Sequence, residues 1–364
     1  MAGIWLPRGR SADAAAVANA TLTLAPDANA LHELGWAQSA TGQSRQALAS
    51  YEWALTLYRE AGDRAKEASI LSSIGLVHHN LGDWRRALAY YEQALPIRRE
   101  VGASRLGEAV TLNNIGLVHS NLGDWEQALT YYEQALQIER EEGADGVEEA
   151  ATLNNIGSVY DKRGDPALAL AYHEEALPIR REVGDRPGEA TTLHNIGSVH
   201  DKLGDRALAL AYYEQALPIR REVGDRAGEA TTLNNIGTVY DKLGDRALAL
   251  AYYEQALPIM REVGDRAARA ITLSNIAAIH FEQQDFAAAK GSLDEVLVVV
   301  RGVGDRKAEA TASANMAVLL LEMARVNDAI EFQRRAVALA ELTSHPALDQ
   351  MRALLVQLQP TQKG

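Results

Sequence analysis

Cysteine is absent from the 364 residues, and with it go disulfides, thiolate nucleophiles and zinc sites built on sulfur. A reducing compartment such as the cytoplasm is compatible with that absence. Aromatic residues make up only 6% of a chain that is 47% hydrophobic, which suits closely packed helices better than a sheet sandwich. A basic excess is missing too: 36 Lys and Arg stand against 49 Asp and Glu, for a formal charge of -13 and a pI near 5.2. The two signs are interleaved, so the stripe of a nucleic-acid binder is lacking and nucleic acid is not expected as a partner. The longest apolar runs, AVLLL at 317–321 and VLVVV at 296–300, fall far short of the roughly 18 residues a bilayer span needs. No membrane partner is expected. The opening MAGIWLPRGR puts its strong apolars before its arginines, the reverse of a secretory signal. Phosphate-cradling Gly-x-x-x-x-Gly-Lys, the Gly-x-Ser-x-Gly elbow and His-Glu-x-x-His are all missing, and no unique carboxylate pair stands apart as an acid/base site would. Neither catalysis nor a cofactor is expected.

What the chain has is repetition. Residues 229–266 nearly copy residues 189–226, and looser versions recur along most of the sequence. A short self-similar period marks a quasi-one-dimensional array, whose function lies on a surface rather than in one central pocket. Gly-Asp recurs at Gly82-Asp83, Gly123-Asp124, Gly164-Asp165, Gly204-Asp205 and Gly244-Asp245. Glycine supplies a left-handed helix end and Asp the N-cap of the next helix, so each unit reads as a helical hairpin, for example 227–242 followed by 246–263. The second turn, EVGDR, closes the unit in the same way and absorbs the insertions near Ser104 and Asp145.

Within the first helix Leu233, Ile236, Gly237 and Tyr240 share one face, expected to pack, while Thr231, Asn234, Asn235, Thr238, Asp241 and Lys242 share the other, expected to meet solvent. Gly237 has counterparts at Gly35, Gly75, Gly116, Gly157 and Gly197. Glycine inside a helix costs about 1 kcal/mol against alanine, so a close backbone approach is expected there. The expected partner is the alanine twelve places on, from Ala47 and Ala87 through Ala289 and Ala329. Pro96, Pro178, Pro218 and Pro258 fall inside second helices, where proline removes a hydrogen bond; a bend with the helix continuing is expected, and a stop at the proline is the alternative.

Leu, then Ile-Gly, Tyr, Gly-Asp, Ala, Tyr and Ala at these intervals resembles the tetratricopeptide repeat, over about residues 28–342. The period departs from the family's usual 34 and is similar to the longer variety of 40 to 42 residues in kinesin light chains, cell-polarity adaptors and bacterial signalling proteins. The resemblance implies an all-α, right-handed superhelical solenoid, here of about eight hairpins, with a concave groove lined by first helices. Residues 1–27 read as a partial repeat or cap. Residues 343–364 read as a capping helix and tail, since Leu348, Met351, Leu354, Leu355 and Leu358 share one face.

The sharpest functional feature is a ladder of asparagines at one place in successive first helices: Asn114, Asn155, Asn195, Asn235, Asn275 and Asn315. An amide carries both donor and acceptor. Such a row can pair with the backbone of an extended peptide, and in similar arrays of this family such ladders hold peptides; alternatively each amide bonds to the adjacent repeat and fixes the stacking. Asn113, Asn154, His194 and Asn234 neighbour the ladder. Around it Ser158, Ser198 and Thr238, with Asp161, Asp201, Asp241, Lys162, Lys202 and Lys242, form a charge-alternating floor for polar partners, or pair among themselves. Phe281 offers an apolar anchor toward the C-terminal end. His78, His119, His200 and His280 take the place of Tyr160 and Tyr240, one per hairpin, too far apart to share the roughly 2 Å bonds of a metal ion.

The expected activity is that of a cytoplasmic scaffold binding a protein or an extended peptide, as a monomer. A sensor arm of a larger bacterial signalling protein with a nucleotide-switch or caspase-like domain is the second expectation. A self-assembling array is the third.

Overall fold

The computed structural model describes residues 27–102, 104–143 and 145–358; the partial repeat or cap expected at 1–27 lies, but for Asp27, outside them. Among the described residues there are seventeen helices and no strand. They divide into two compact units, Met1–Val199 and His200–Gly364, the division falling inside one helix.

The first unit holds the hairpins α1 (Ala28–Ala40) with α2 (Ser44–Glu60), α3 (Arg64–Asn80) with α4 (Trp84–Val101), α5 (Arg105–Leu122) with α6 (Trp125–Glu141), and α7 (Val147–Arg163) with α8 (Pro166–Glu182). Then comes α9 (Arg186–Leu203), which carries the division; in the second unit α10 (Arg206–Val223) follows. The second unit continues with α11 (Arg226–Lys242) and α12 (Arg246–Val263), α13 (Arg266–Glu282) and α14 (Phe286–Val303), α15 (Arg306–Glu322) and α16 (Val326–Leu342), and ends in α17 (Leu348–Leu358). The all-helical hairpin array and its terminal helix follow the sequence reading, and the hairpin expected at 227–242 and 246–263 is α11 with α12.

Local chemistry explains the helix ends. Gly82 and Gly244 take φ of 76° and 84°, a left-handed conformation that glycine adopts without a Cβ penalty. The following Asp245 caps α12 by accepting from the Leu248 N–H at 3.1 Å. Pro96, Pro178, Pro218 and Pro258 lie inside helices that run on past them, so α4, α8, α10 and α12 do not stop there.

The glycines inside the first helices, at 35, 75, 116, 157 and 237, have a different main partner from the one expected. A Cβ on Gly237 would lie 2.8 Å from the Tyr253 ring, and one on Gly75 would lie 2.7 Å from Tyr91. The ring sixteen residues on fills the space, and the alanine contributes its carbonyl: Ala249 O would be 3.2 Å from that Cβ. Gly35 and Gly116 meet Tyr51 and Tyr132 in the same way, and Gly157 meets His173. Where the ring gives way to Leu293 and Gln333, the glycine is Ala277 and Ala317. The alanines at 47, 87, 128, 249 and 329 are nonetheless fully buried or nearly so, a seam of small residues between helices.

Ion pairs join successive hairpins. The first-helix carboxylates Glu67, Glu189, Glu229 and Glu309 are buried, and each accepts at 2.8 Å from the Nε of an arginine ending the preceding second helix: Arg59, Arg181, Arg221 and Arg301. Burial alone would raise the Glu67 pKa, but the Arg59 and Arg64 guanidiniums hold it below the ordinary value. At the far end Met351 of α17 is buried against Ala336, Leu339 and Ala340, and its carbonyl accepts from the buried Gln333 Nε2 at 2.7 Å. Asp349, Gln350, Arg352 and Gln357 are exposed, as a polar-backed cap requires.

Candidate functional site

In the first unit the first helices line a groove of about 650 Å³. His32 of α1, Ser69, Ser73 and His79 of α3, Asn113 and Asn114 of α5, Asn155 of α7 and Thr191 of α9 face it, and Arg98, Glu139 and Arg180 reach it from the ends of second helices. Three expected site residues therefore meet in one groove: Asn113, Asn114 and Asn155.

The face expected to meet solvent is more internal than that. Asn155 Nδ2 donates to Asn113 Oδ1 at 2.9 Å, across one hairpin, and Asn195 Nδ2 donates to Asn154 Oδ1 at 3.1 Å across the next. Asn154 is buried and also accepts from Thr192 Oγ1 at 3.4 Å. Asn113 in turn donates to Thr152 Oγ1, which donates to Glu139 Oε1 at 3.1 Å. One polar relay thus runs from Asn155 through Asn113 and Thr152 to Glu139. Asn114 differs: half-buried on the groove wall, its amide bonds no other side chain among the described residues, because Ser72 stands where an asparagine would receive it. His194 and Ser198 are half-buried on α9, Ser158 Oγ returns to Asn154 O at 2.9 Å, Asp161 is half-buried, and Lys162 Nζ donates to Ser120 Oγ at 3.2 Å.

The second unit repeats the pattern on its own helices. Asn234 Oδ1 accepts from Thr272 Oγ1 at 2.8 Å, and its Nδ2 donates to Asn235 Oδ1 at 3.4 Å. Thr238 Oγ1 donates to Asn234 O at 3.0 Å and lies 3.1 Å from Tyr253 Oη. Lys242 Nζ donates to Asp201 at 2.7 Å, joining two members of the charged floor. Lys202 is exposed, Asn275 half-buried and Asn315 exposed. Burial, with Glu282 nearby, raises the Asp241 pKa despite Arg246. Phe281 is half-buried and packs on Phe286 with centroids 5.8 Å apart.

The histidines of the packing face stack on tyrosines. His78 on Tyr90, His119 on Tyr131 and His200 on Tyr212 lie 5.5 to 5.6 Å apart, nearly parallel, as Tyr160 and Tyr240 lie on Tyr172 and Tyr252. His79 points the other way, into the groove, where its Nε2 is 2.9 Å from Asn121 Nδ2.

Sequence reasoning missed the second-helix residues of the groove. Arg98, Glu139, Arg180 and Arg220 hold one place in successive hairpins. A signal existed: where that place is Arg, the next first helix carries Gly107, Gly188 or Gly228, and where it is Glu139 that glycine is Glu148. The guanidinium needs the room, since a Cβ on Gly107 would lie 2.5 Å from Arg98 Nη1.

The same architecture occurs in solved proteins of low sequence identity. The chain is similar to a signal transduction ATPase with numerous domains, with a tetratricopeptide repeat sensor, from Pyrococcus horikoshii (TM-score 0.70, 12% identity, covering 97% of this chain and 56% of that one). It is similar to the apo quorum sensor NprR from B. thuringiensis (TM-score 0.64, 17% identity, 88% and 90%). A third likeness is to the Rap conjugation gene regulator of plasmid pLS20 in complex with the Phr peptide (TM-score 0.54, 18% identity, 83% and 79%). No curated protein matches the chain by sequence. Family models described as tetratricopeptide repeat match residues 30–65, 66–141, 107–182, 148–222, 188–262 and 268–341. The chain belongs to the tetratricopeptide repeat family.

Proposed function

We propose that the chain is an interaction scaffold whose first-unit groove holds an extended peptide or protein segment, with the asparagines addressing its backbone. The observation that carries this reading is the Asn114 amide, on the groove wall with no side-chain partner. Asn155 supports it: one amide hydrogen is used on Asn113, which leaves the second for a ligand. The Asn155 and Asn195 bonds across hairpins also hold the groove in shape, so ligand contact and repeat stacking are two uses of one amide row. The peptide-bound Rap regulator is a protein of like fold.

Peptides selected from a displayed random library on the immobilised chain give the test. Asn114→Ala should weaken their binding by roughly five-fold, the worth of about one net hydrogen bond, with helicity and melting unchanged. Unchanged affinity by fluorescence anisotropy would remove Asn114 from the site, and a library that yields no binder would end the reading.

A second reading makes the array the sensing arm of a larger signalling protein. It takes its support from the Pyrococcus horikoshii protein, of which the matched part is 56%. A coding sequence that continues into no further domain would count against it.

A further inference from the structure

Arg98, Glu139 and Arg180 line the groove from one place in successive hairpins, a place that Arg220 takes in the second unit. Arg180 and Arg220 are buried, and each pairs with the carboxylate capping the next helix: Nη1 lies 2.5 Å from Asp185 Oδ2 and from Asp225 Oδ2 respectively. Arg98 holds the same place two hairpins before Arg180. The cap beside it is Ser104, which accepts from the Gly107 N–H at 3.1 Å and carries no charge. Half-buried Arg98 has no carboxylate partner among the described residues; its Nε is buried without a hydrogen bond, as are those of Arg180 and Arg220, and burial draws its pKa down as it does that of Arg180, so the missing carboxylate is what sets Arg98 apart.

One hairpin further on the sign reverses. Glu139 stands in the place of these arginines, is 1% exposed, and uses only Oε1; Oε2 is buried with no partner. Both Arg98 and Glu139 line the 650 Å³ groove. A charge withdrawn from water is costly until an opposite charge meets it.

We propose that the groove is a two-point ionic site for peptide segments bearing an acidic and a basic side chain, the carboxylate docking on Arg98 and the ammonium or guanidinium on Glu139. The proposal deepens the peptide-binding reading above and rests on it. Neighbouring hairpins place equivalent side chains about 10 Å apart, which an extended chain covers in about three residues at roughly 3.3 Å each. The preferred segment therefore sets its acidic and basic residues three positions apart, in one fixed order. Asn114 lies on the helix between the two charges and addresses the intervening backbone.

The test pans a random-peptide phage library on the full chain and on three variants. Wild type should enrich the acidic and basic pair on the order of ten-fold over the input library. Arg98→Met, which installs the residue found at Met260 in this place, should abolish the acidic preference and spare the basic one. Glu139→Gln, which keeps the acceptor for Thr152, should do the opposite. Ser104→Asp should also abolish the acidic preference, with Arg98 still present, by giving it the internal carboxylate that Arg180 has; because Asp caps the equivalent helices, this variant decides the matter even if Arg98→Met is misfolded. Binders without the charge pair, or a pair that persists in Ser104→Asp and Glu139→Gln, would overturn the ionic site and leave the peptide groove standing. No enrichment on wild type would overturn the groove reading itself.

Discussion

At the residue scale, the packing of this chain turns on a glycine and a ring sixteen positions apart. Gly237→Ala would push a methyl to 2.8 Å from the Tyr253 ring, and overpacking of this kind costs about 1 to 3 kcal/mol. Adding Tyr253→Leu copies the Ala277 and Leu293 pair already present in the chain, so the double variant should recover most of the loss in urea denaturation. Additive losses would refute the coupling. The glycine was legible as a site of close approach, but helical phase does not say which residue of the next helix lies over it. The alanines twelve places on recur without exception and so stand out in the sequence above the rings, although glycine and ring change together at Ala277 and Leu293. His173, in place of a ring tyrosine, is buried and its pKa falls to about 4 through desolvation. The folded chain keeps it neutral, so its contribution is whole above the ordinary value near 6.5 and is lost as pH falls toward 4. His173→Tyr should flatten the acid side of the stability profile. Glu139 acts with the opposite sign: burial pushes its carboxyl up to about 7, the Thr152 bond opposing and Glu148 and Glu149 adding to the rise. The destabilising contribution of Glu139 is absent below the ordinary value near 4.5 and grows as pH rises toward 7. Thermal melts of Glu139→Gln and wild type should diverge across that interval, the variant gaining with pH; parallel profiles would contradict the assignment.

At the element scale, helix ends were the most legible part of the sequence because their chemistry is local. Glycine followed by Asp encodes a left-handed stop and a capped start within two residues. The last two hairpins depart from this code: Gln284 and Ala324 hold φ of 63° and 57° where earlier hairpins have glycine. A side chain in that conformation costs roughly 1 kcal/mol or more, and a Cβ at the equivalent Gly82 and Gly244 meets nothing within 4 Å, so the strain is in the backbone itself. Gln284→Gly and Ala324→Gly should each raise stability by about 1 kcal/mol in thermal unfolding; a loss would mean the side chains hold contacts that outweigh the strain. The groove was less legible than the helices. First-helix asparagines announce themselves by recurrence, whereas Arg98 and Glu139 lie near the ends of second helices whose other residues are packing and solvent positions. Their meaning appears only when each is compared with the cap that follows it.

At the scale of the whole molecule, no shift of composition marks the division between Val199 and His200, which falls inside α9. Repeats contact chiefly their neighbours, so stability is close to a sum of local terms. Gly75→Ala, which would set a Cβ 2.7 Å from Tyr91, should therefore speed amide exchange in α3 to α6 and leave α15 to α17 unchanged. A uniform rise across the chain would instead reveal one cooperative body. The pairing of glycine with ring also bears on how such a gene can lengthen. Both partners sit inside one hairpin, so unequal crossing-over that copies a whole hairpin carries a matched set, and the new copy packs at once. A breakpoint between the two joins alanine to tyrosine or glycine to leucine, a clash or a void. Recombination is thereby filtered toward joints in the turns, and the near-identity of 189–226 with 229–266 is the kind of scar that filter leaves.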